Sequence, residues 1–394
     1  MKLRTIFVGV IVLAGLVVGI VYLNQLLKAK ELEQQRQEYD LAESIYFEAV
    51  DEDDEDRYAK AKSIFNRLLK ERAGDPQILE GAYIRIGLIE ETMGEYERAK
   101  RNWLEASVSF PSSDSSSMLD YHIGKCCEEL GEYEEARKRY EAAVKRGGTS
   151  DPVLFSKNGL ARMLDSIDGE WEAARGMCAA VIEASSPGDG PYEEAIDMLG
   201  RLNVMLLTSR RKMDDKFLYN VKAGDSVTKL GSDNNVARAL IKKINSLDER
   251  GTLHINQTLL IPTVDFSIVV DLSDRHLVLF NGGKVFKRYS VGIGKKETPT
   301  TPGKYEIKNK MIDPDWTRPG ITILAGDPRN ELGTRWMGLK GVGPALPNDL
   351  GIHGTIDPSS IGWASSSGCV RMFPADVEEL FDLMTYHVPV EIVS

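Results

Sequence analysis

The sequence predicts a multidomain chain: an N-terminal transmembrane helix, an all-α solenoid, a small βααβ module and a C-terminal mainly-β domain. Three observations carry that reading. Residues 5–27 form a 23-residue window without a charge, one seven-residue pattern recurs four times after it, and from Val264 onward apolar residues alternate between Asn-Gly-Gly and Pro-Gly turns. A length of 394 residues suits two to four domains, and 42% hydrophobic content supplies their cores. The formal charge of -11, without a clustered Lys/Arg patch, excludes non-specific nucleic-acid binding, which needs cations to displace phosphate counterions.

The window TIFVGVIVLAGLVVGIVYLNQLL at 5–27 is long enough to span a hydrocarbon core. No small-x-small cleavage site follows it, so residues 1–28 read as an uncleaved signal anchor rather than a removed signal peptide or a buried helix. Lys2 and Arg4 oppose Lys28 and Lys30 across it, which favours the short basic end in the cytoplasm. The bulk of the chain is then expected outside the cytoplasmic membrane.

The repeat follows as DRYAKAK at 56–62, GEYERAK at 94–100, GEYEEAR at 131–137 and GEWEAAR at 169–175, its aromatics spaced by 38, 37 and 38 residues. Small residues belong where paired helices approach, and aromatics fill the gap to the next pair. With Gly87, Gly94, Tyr96, Ala99, Trp103, Ala106 and Pro111 in the second copy, residues 29–210 resemble the tetratricopeptide repeats, solenoids that stack paired helices. PYEEAIDMLGRLNVMLL at 191–207 reads as the closing helix. The resemblance implies a surface for an unidentified protein partner, although a plain spacer reading stays open.

Residues 217–263 change character to a strand, a Gly-Asp-Ser turn able to cap a helix, two short helices and a closing strand. Tyr219, Val221, Gly224, Asp225, Ser226, Asn245, Gln257, Leu259, Ile261 and Pro262 make the segment resemble the LysM family. That resemblance implies binding to N-acetylglucosamine polymers such as peptidoglycan glycan strands, with sugar contacts around Gly224, Asp225 and Ser226.

From residue 264 to 394 the strands FSIVVDLSD, HLVLFNGG, KVFKRYSVGIG and TPTTPGKYEIKNK predict an antiparallel β-rich domain, with FPADVEELFDLMTYH as its one helix. TRWMGLKGVGPALPND at 334–349 reads as a mobile covering loop. The chemistry lies in GIHGTIDPSSIGWASSSGCVRM at 351–372. A sulfur nucleophile needs a thiolate, which an imidazole beside it stabilises as imidazolium. Of five histidines only His353, 16 residues before Cys369 and flanked by glycines, sits in such a setting. Cys126, Cys127 and Cys178 read as small buried hydrophobes, although Cys178 could bridge to either of the others. The four cysteines have no metal-ligand spacing, and neither metal nor cofactor is expected.

His353, Ser366, Ser367, Gly368, Cys369, Val370 and Arg371, with IVVDLS at 268–273 and TPTTPGKYEI at 298–307, resemble the catalytic domain of the L,D-transpeptidases. The family pattern is a His, about fifteen residues, then Ser/Thr-His-Gly-Cys-Val/Ile-Arg. The resemblance implies a cysteine-dependent acyltransferase that joins peptidoglycan stem peptides by 3-3 cross-links at the bacterial cell envelope. It makes Cys369 the nucleophile and His353 the base. Backbone N–H groups near Gly368 and Cys369 would form the oxyanion hole, Arg371 would fix the loop or meet a substrate carboxylate, and Ser366 and Gly354 would lie on the substrate side. Ser367 departs from the pattern, standing where the family has a second His, and serine cannot carry charge. Hydrolysis of the same thioester, as an L,D-carboxypeptidase, and a non-catalytic wall-binding scaffold remain alternatives.

Overall fold

The computed structural model describes residues 2–111, 114–318, 320–343, 346–347 and 349–394, with side chains from Leu16 onward, Arg318 excepted. It divides into two compact units, Met1–Met163 and Leu164–Ser394.

The first unit is helical: α1 (Lys2–Glu52), α2 (Glu55–Lys70), α3 (Pro76–Thr92), α4 (Tyr96–Ser109), α5 (Ser116–Glu129), α6 (Tyr133–Arg146) and α7 (Asp151–Asp165), which runs just past the division. Local chemistry sets several starts. The Asp54 carboxylate accepts from the Asp56 and Arg57 N–H groups ahead of α2, and Asp75 does the same for Gln77 beside Pro76 in the first turn of α3. The repeated small and aromatic residues meet as the pattern requires. Any side chain on Gly87 would collide with Trp103, and one on Gly159 with Tyr140, both aromatics being fully buried. Within the expected span, the side chains of 5–15 lie outside the described ones. Among the described residues no helix is long and apolar enough to cross a membrane. Between 16 and 27, Leu16, Val18, Tyr22 and Leu27 are each more than half exposed.

The second unit opens with α8 (Trp171–Ala184) and α9 (Gly190–Thr208). Next comes the βααβ module: β1 (Lys216–Asn220), α10 (Val227–Asn234), α11 (Arg238–Asn245) and β2 (Thr258–Pro262), with β1 antiparallel to β2. The remaining strands are β3 (Phe266–Asp271), β4 (His276–Asn281), β5 (Lys284–Gly294), β6 (Gly303–Ile312), β7 (Trp316–Arg318), β8 (Ile321–Ile323), β9 (Arg335–Gly341), β10 (Gly351–His353), β11 (Ala364–Ser366), β12 (Val370–Met372) and β13 (Pro389–Val393), with α12 (Pro374–Leu383) before the last. Nine of them form one sheet in the order β11-β5-β12-β10-β9-β6-β13-β3-β4, and β4 also pairs with β5, so the sheet curls back on itself.

Two expectations change here. The sheet is mixed, because β10–β12, β13–β3 and β11–β5 are parallel; parallel neighbours need long connections, 354–369 between β10 and β12 and 295–363 between β5 and β11, which turn signals alone do not reveal. Residues 335–341 form β9 inside the sheet, with Met337 and Leu339 fully buried, rather than a covering loop. The glycines there serve close packing: a Cβ on Gly351, in the next strand, would strike the Trp336 ring.

A single apolar core runs from Val204 and Leu207 on α9, through Leu240, Ile241 and Ile261 of the small module, to Ile268, Leu279 and Leu380 of the larger domain. Asn203 on α9 also donates to the Phe286 carbonyl of β5 at 2.8 Å. The modules are therefore fused by burial rather than strung on linkers.

Candidate active site

Strands β10 and β12 lie side by side in parallel, with Ile352 opposite Val370 and His353 opposite Arg371. Ile352 and Val370 point into the core, so the alternation of a strand sends His353, Arg371 and, two residues before it, Cys369 to the other face. This pairing brings the two ends of the 351–372 motif together.

The turn carrying Cys369 is tightly held. Ser366 Oγ donates to the Cys369 carbonyl at 2.6 Å and accepts from the Gly368 N–H at 3.1 Å, and Gly368 adopts φ +117°, open to glycine at no steric cost. The Ser366 carbonyl accepts from the Lys295 N–H at 3.0 Å and Thr298 Oγ1 at 3.3 Å, which ties the turn to the 298–303 segment. Ser366, expected on the substrate side, is thus buried with its hydroxyl engaged in the turn. The Gly368 N–H, expected in the oxyanion hole, is also engaged. Ser367 is exposed.

His353 is 4% exposed and stacks on Trp336 at 5.7 Å and 27°. Its Nδ1 lies 2.6 Å from the Gly354 carbonyl, and since a carbonyl only accepts, Nδ1 donates and Nε2 is left as the basic nitrogen. Gly354, expected on the substrate side, therefore orients the imidazole, and a side chain there would crowd Val377. Burial pushes His353 down to about 4 against the hydrogen bond to Gly354, helped by the Arg371 charge. Burial also raises the Cys369 thiol, opposed by a hydrogen bond from the Gly351 N–H and by Arg371, while Asp349 adds to the rise. Both shifts run against the thiolate–imidazolium pair expected, because burial disfavours the charged form of each group.

Arg371 Nη2 donates to Glu331 at 2.7 Å, while its Nε is buried without a hydrogen-bond partner. That contact favours a role in fixing the site. Glu331, Trp336 and Asp349, which act on Arg371, His353 and Cys369, were not singled out from the sequence. They arrive from other strands and loops.

Gly224, Asp225 and Ser226 do not join this cluster; they form the β1–α10 turn of the small module. The Asp225 carboxylate accepts from Tyr219 Oη at 2.8 Å, the Lys222 N–H at 2.9 Å and Lys229 Nζ at 3.3 Å, and Ser226 caps α10 through the Lys229 N–H. Among the described residues no group of His, Cys, Asp and Glu could hold a metal ion. Cys126, Cys127 and Cys178 are buried outside any disulfide.

A family model described as the L,D-transpeptidase catalytic domain matches residues 265–392, and one described as the LysM domain matches 219–262. The chain is similar to the putative L,D-transpeptidase YkuD of Bacillus licheniformis, 31% identical over 173 residues that cover 42% of this chain and 93% of that protein. The Bacillus subtilis YkuD is 31% identical over 172 residues, 42% of this chain and 92% of that protein. Among solved structures, the NMR structure of the catalytic domain from E. faecium L,D-transpeptidase is 26% identical, covering 33% of this chain and 97% of that one at a TM-score of 0.27. An L,D-transpeptidase crystal structure from Mycobacterium tuberculosis is 15% identical, covering 36% of this chain and 63% of that one at a TM-score of 0.28.

Proposed function

The chain belongs to the L,D-transpeptidase family, and we propose that it forms 3-3 cross-links between peptidoglycan stem peptides through a thioester on Cys369. The observation that carries this is the placement of His353 and Cys369 on one face of adjacent parallel strands, with Nδ1 of the histidine fixed by a backbone carbonyl.

As Cys369 Sγ attacks the carbonyl carbon of the third residue of a donor stem, its proton passes to His353 Nε2. The tetrahedral intermediate collapses to the thioester, and His353 returns the proton to the departing amine of the terminal D-alanine. A side-chain amine of the acceptor stem then attacks the thioester carbon and gives one proton to His353. Sγ leaves and recovers that proton, which restores the thiol.

The LysM domain supports binding to the glycan strands that carry those stems. The uncharged stretch at 5–27 and its exposed apolar side chains at 16–27 support an anchor in the bacterial cytoplasmic membrane, with the rest of the chain extracytoplasmic. The paired helices support a tetratricopeptide-like solenoid that holds a protein partner.

The test is the intact mass of the full chain after incubation with a carbapenem, beside Cys369→Ala, followed by incubation with purified muropeptides. One adduct lost in Cys369→Ala, and dimers formed from the muropeptides, are expected. Tripeptides without dimers would mean an L,D-carboxypeptidase, and no adduct on a folded protein would leave a wall-binding scaffold.

A further inference from the structure

The LysM module is not free to swing against the catalytic domain. Residues 263–265 alone separate β2 from β3, the Thr263 N–H donates to the Asp215 carbonyl at 2.7 Å, and Leu240, Ile241 and Ile244 share one core with Leu380, Leu383 and Met384. Thr385 Oγ1 donates to Asn235 Oδ1 at 3.1 Å across the join. An open cleft of about 1250 Å³ remains between the two walls. One wall comes from α10, α11 and residues 246–250, the other from the end of β6, the C-terminal end of α12 and residues 384–387. That volume exceeds the usual 300–1,000 Å³ of small-molecule pockets and suits a segment of polymer.

The lining chemistry is specific. Five Lys and Arg residues face three Asp and Glu residues in the cleft, although the whole chain carries -11. Three cations make internal hydrogen bonds: Lys310 Nζ donates to the Phe381 and Met384 carbonyls at 2.5 and 2.6 Å, closing the end of α12, Lys242 Nζ donates to the Glu249 carbonyl at 2.9 Å, and one Arg238 nitrogen donates to Thr228 Oγ1 at 3.3 Å. One acid is engaged as well, since the Asp248 carboxylate accepts from the Thr252 N–H and hydroxyl, each at 2.9 Å. Arg238, Lys243 and Arg250 stay exposed on the module side. Opposite them Tyr386 is 55% exposed and Ile312 60% exposed. An aromatic and an aliphatic surface facing cations is the complement of a saccharide with flat apolar faces and pendant carboxylates.

We propose that the cleft between the LysM module and the catalytic domain is a composite binding site for an acidic glycopeptide segment, in which Tyr386 and Ile312 meet sugar faces and Arg238, Lys243 and Arg250 meet stem carboxylates. The site rests on the reading that the protein acts on peptidoglycan. It differs from binding by the module alone, because Ile312, Phe381, Met384 and Tyr386 of its lining belong to the catalytic domain. The bound strand is then held at a fixed position relative to Cys369, since both walls share one core.

The test measures affinity of the full chain, in detergent, for soluble glycan oligomers that bear tetrapeptide stems and for N-acetylglucosamine oligomers that bear none. Lys243→Glu combined with Arg250→Glu is expected to weaken the stem-bearing oligomer about tenfold or more and leave the stem-free one unchanged. Tyr386→Ala is expected to weaken both oligomers. Wild-type affinity for the stem-bearing oligomer should fall with added salt more steeply than for the stem-free one. Equal losses for both oligomers on charge reversal, no response to charge reversal, or no binding by the wild type would each overturn the composite site. The carbapenem adduct on Cys369, measured on the same samples, reports separately on the catalytic reading: it should persist in both variants, and its absence from the wild type would sink that reading alone.

Discussion

Two histidines in this molecule are buried against tryptophan, and their surroundings set them to opposite uses. In the helical repeats, His122 stacks on Trp103 at 4.5 Å and 14°, and its Nδ1 meets Glu91 at 2.7 Å. The same carboxylate takes hydrogen bonds from Trp103 Nε1 at 2.8 Å and Lys125 at 3.0 Å, with Cys126 Sγ at 3.7 Å. Burial alone would raise Glu91, yet His122 and Lys125 hold it below the usual carboxylate range. Burial beside that carboxylate drives the Cys126 thiol far up. The network is closed, each charge has a partner, and its cysteine is inert. In the catalytic sheet, His353 meets the Gly354 carbonyl instead of a carboxylate and the Arg371 cation instead of an anion, and burial lowers it.

The comparison breaks most readily at the base. His353→Ala is expected to slow carbapenem acylation of Cys369 by about 10²–10⁴-fold, while Cys126→Ala leaves it unchanged. Stopped-flow acylation rates read both, and equal rates in wild type and His353→Ala would remove the histidine from the chemistry.

The next effect is on stability. His353 is held at about 4 in the folded chain against 6.5 ordinarily. As pH falls from about 6.5 to about 4, the unfolded chain takes up a proton that the folded chain refuses. Stability present above that window is lost within it, by up to about 3 kcal/mol. Denaturant unfolding across pH, beside His353→Gln, isolates this loss, which should be absent in the variant. The acid limb of the acylation profile should likewise lie nearer 4 than 6.5.

Glu91→Gln sharpens the other side. It leaves Lys125 and His122 around a neutral amide and should destabilise the repeat helices by about 2–3 kcal/mol, seen as faster amide hydrogen exchange in residues 78–130, with acylation of Cys369 unaltered. The smallest effect is expected from Ser367→His. Because Ser367 is exposed, an imidazole has room there, and acylation should change by less than about tenfold. A hundredfold change in either direction would show that this position governs the thiol.

Much of this was legible in the residues. The Gly87–Trp103 packing follows from the small and aromatic residues of the second copy, because helix contacts repeat with the chain. Both ends of the motif, His353 and Cys369, were visible through their neighbours. Less visible were the engagement of Ser366, Gly354 and the Gly368 N–H in holding the site, and the part played by Glu331. A hydroxyl or amide in a motif reads the same whether it faces a substrate or its own turn; only the acceptor within reach decides.

By itself the sequence determined that a LysM module precedes an L,D-transpeptidase catalytic domain, with helices before both, and that the module is a βααβ unit. These depend on periodicity and short-range spacing, which are written along the chain. Tertiary structure alone decided that β10 and β12 run parallel, so that His353 stands beside Arg371. It also decided that α9, the LysM module and the catalytic sheet share one core, and that burial pushes the Cys369 thiol up and the His353 imidazole down. Pairing between distant strands and removal from water are properties of where residues end up, and no local pattern encodes the dielectric around a side chain.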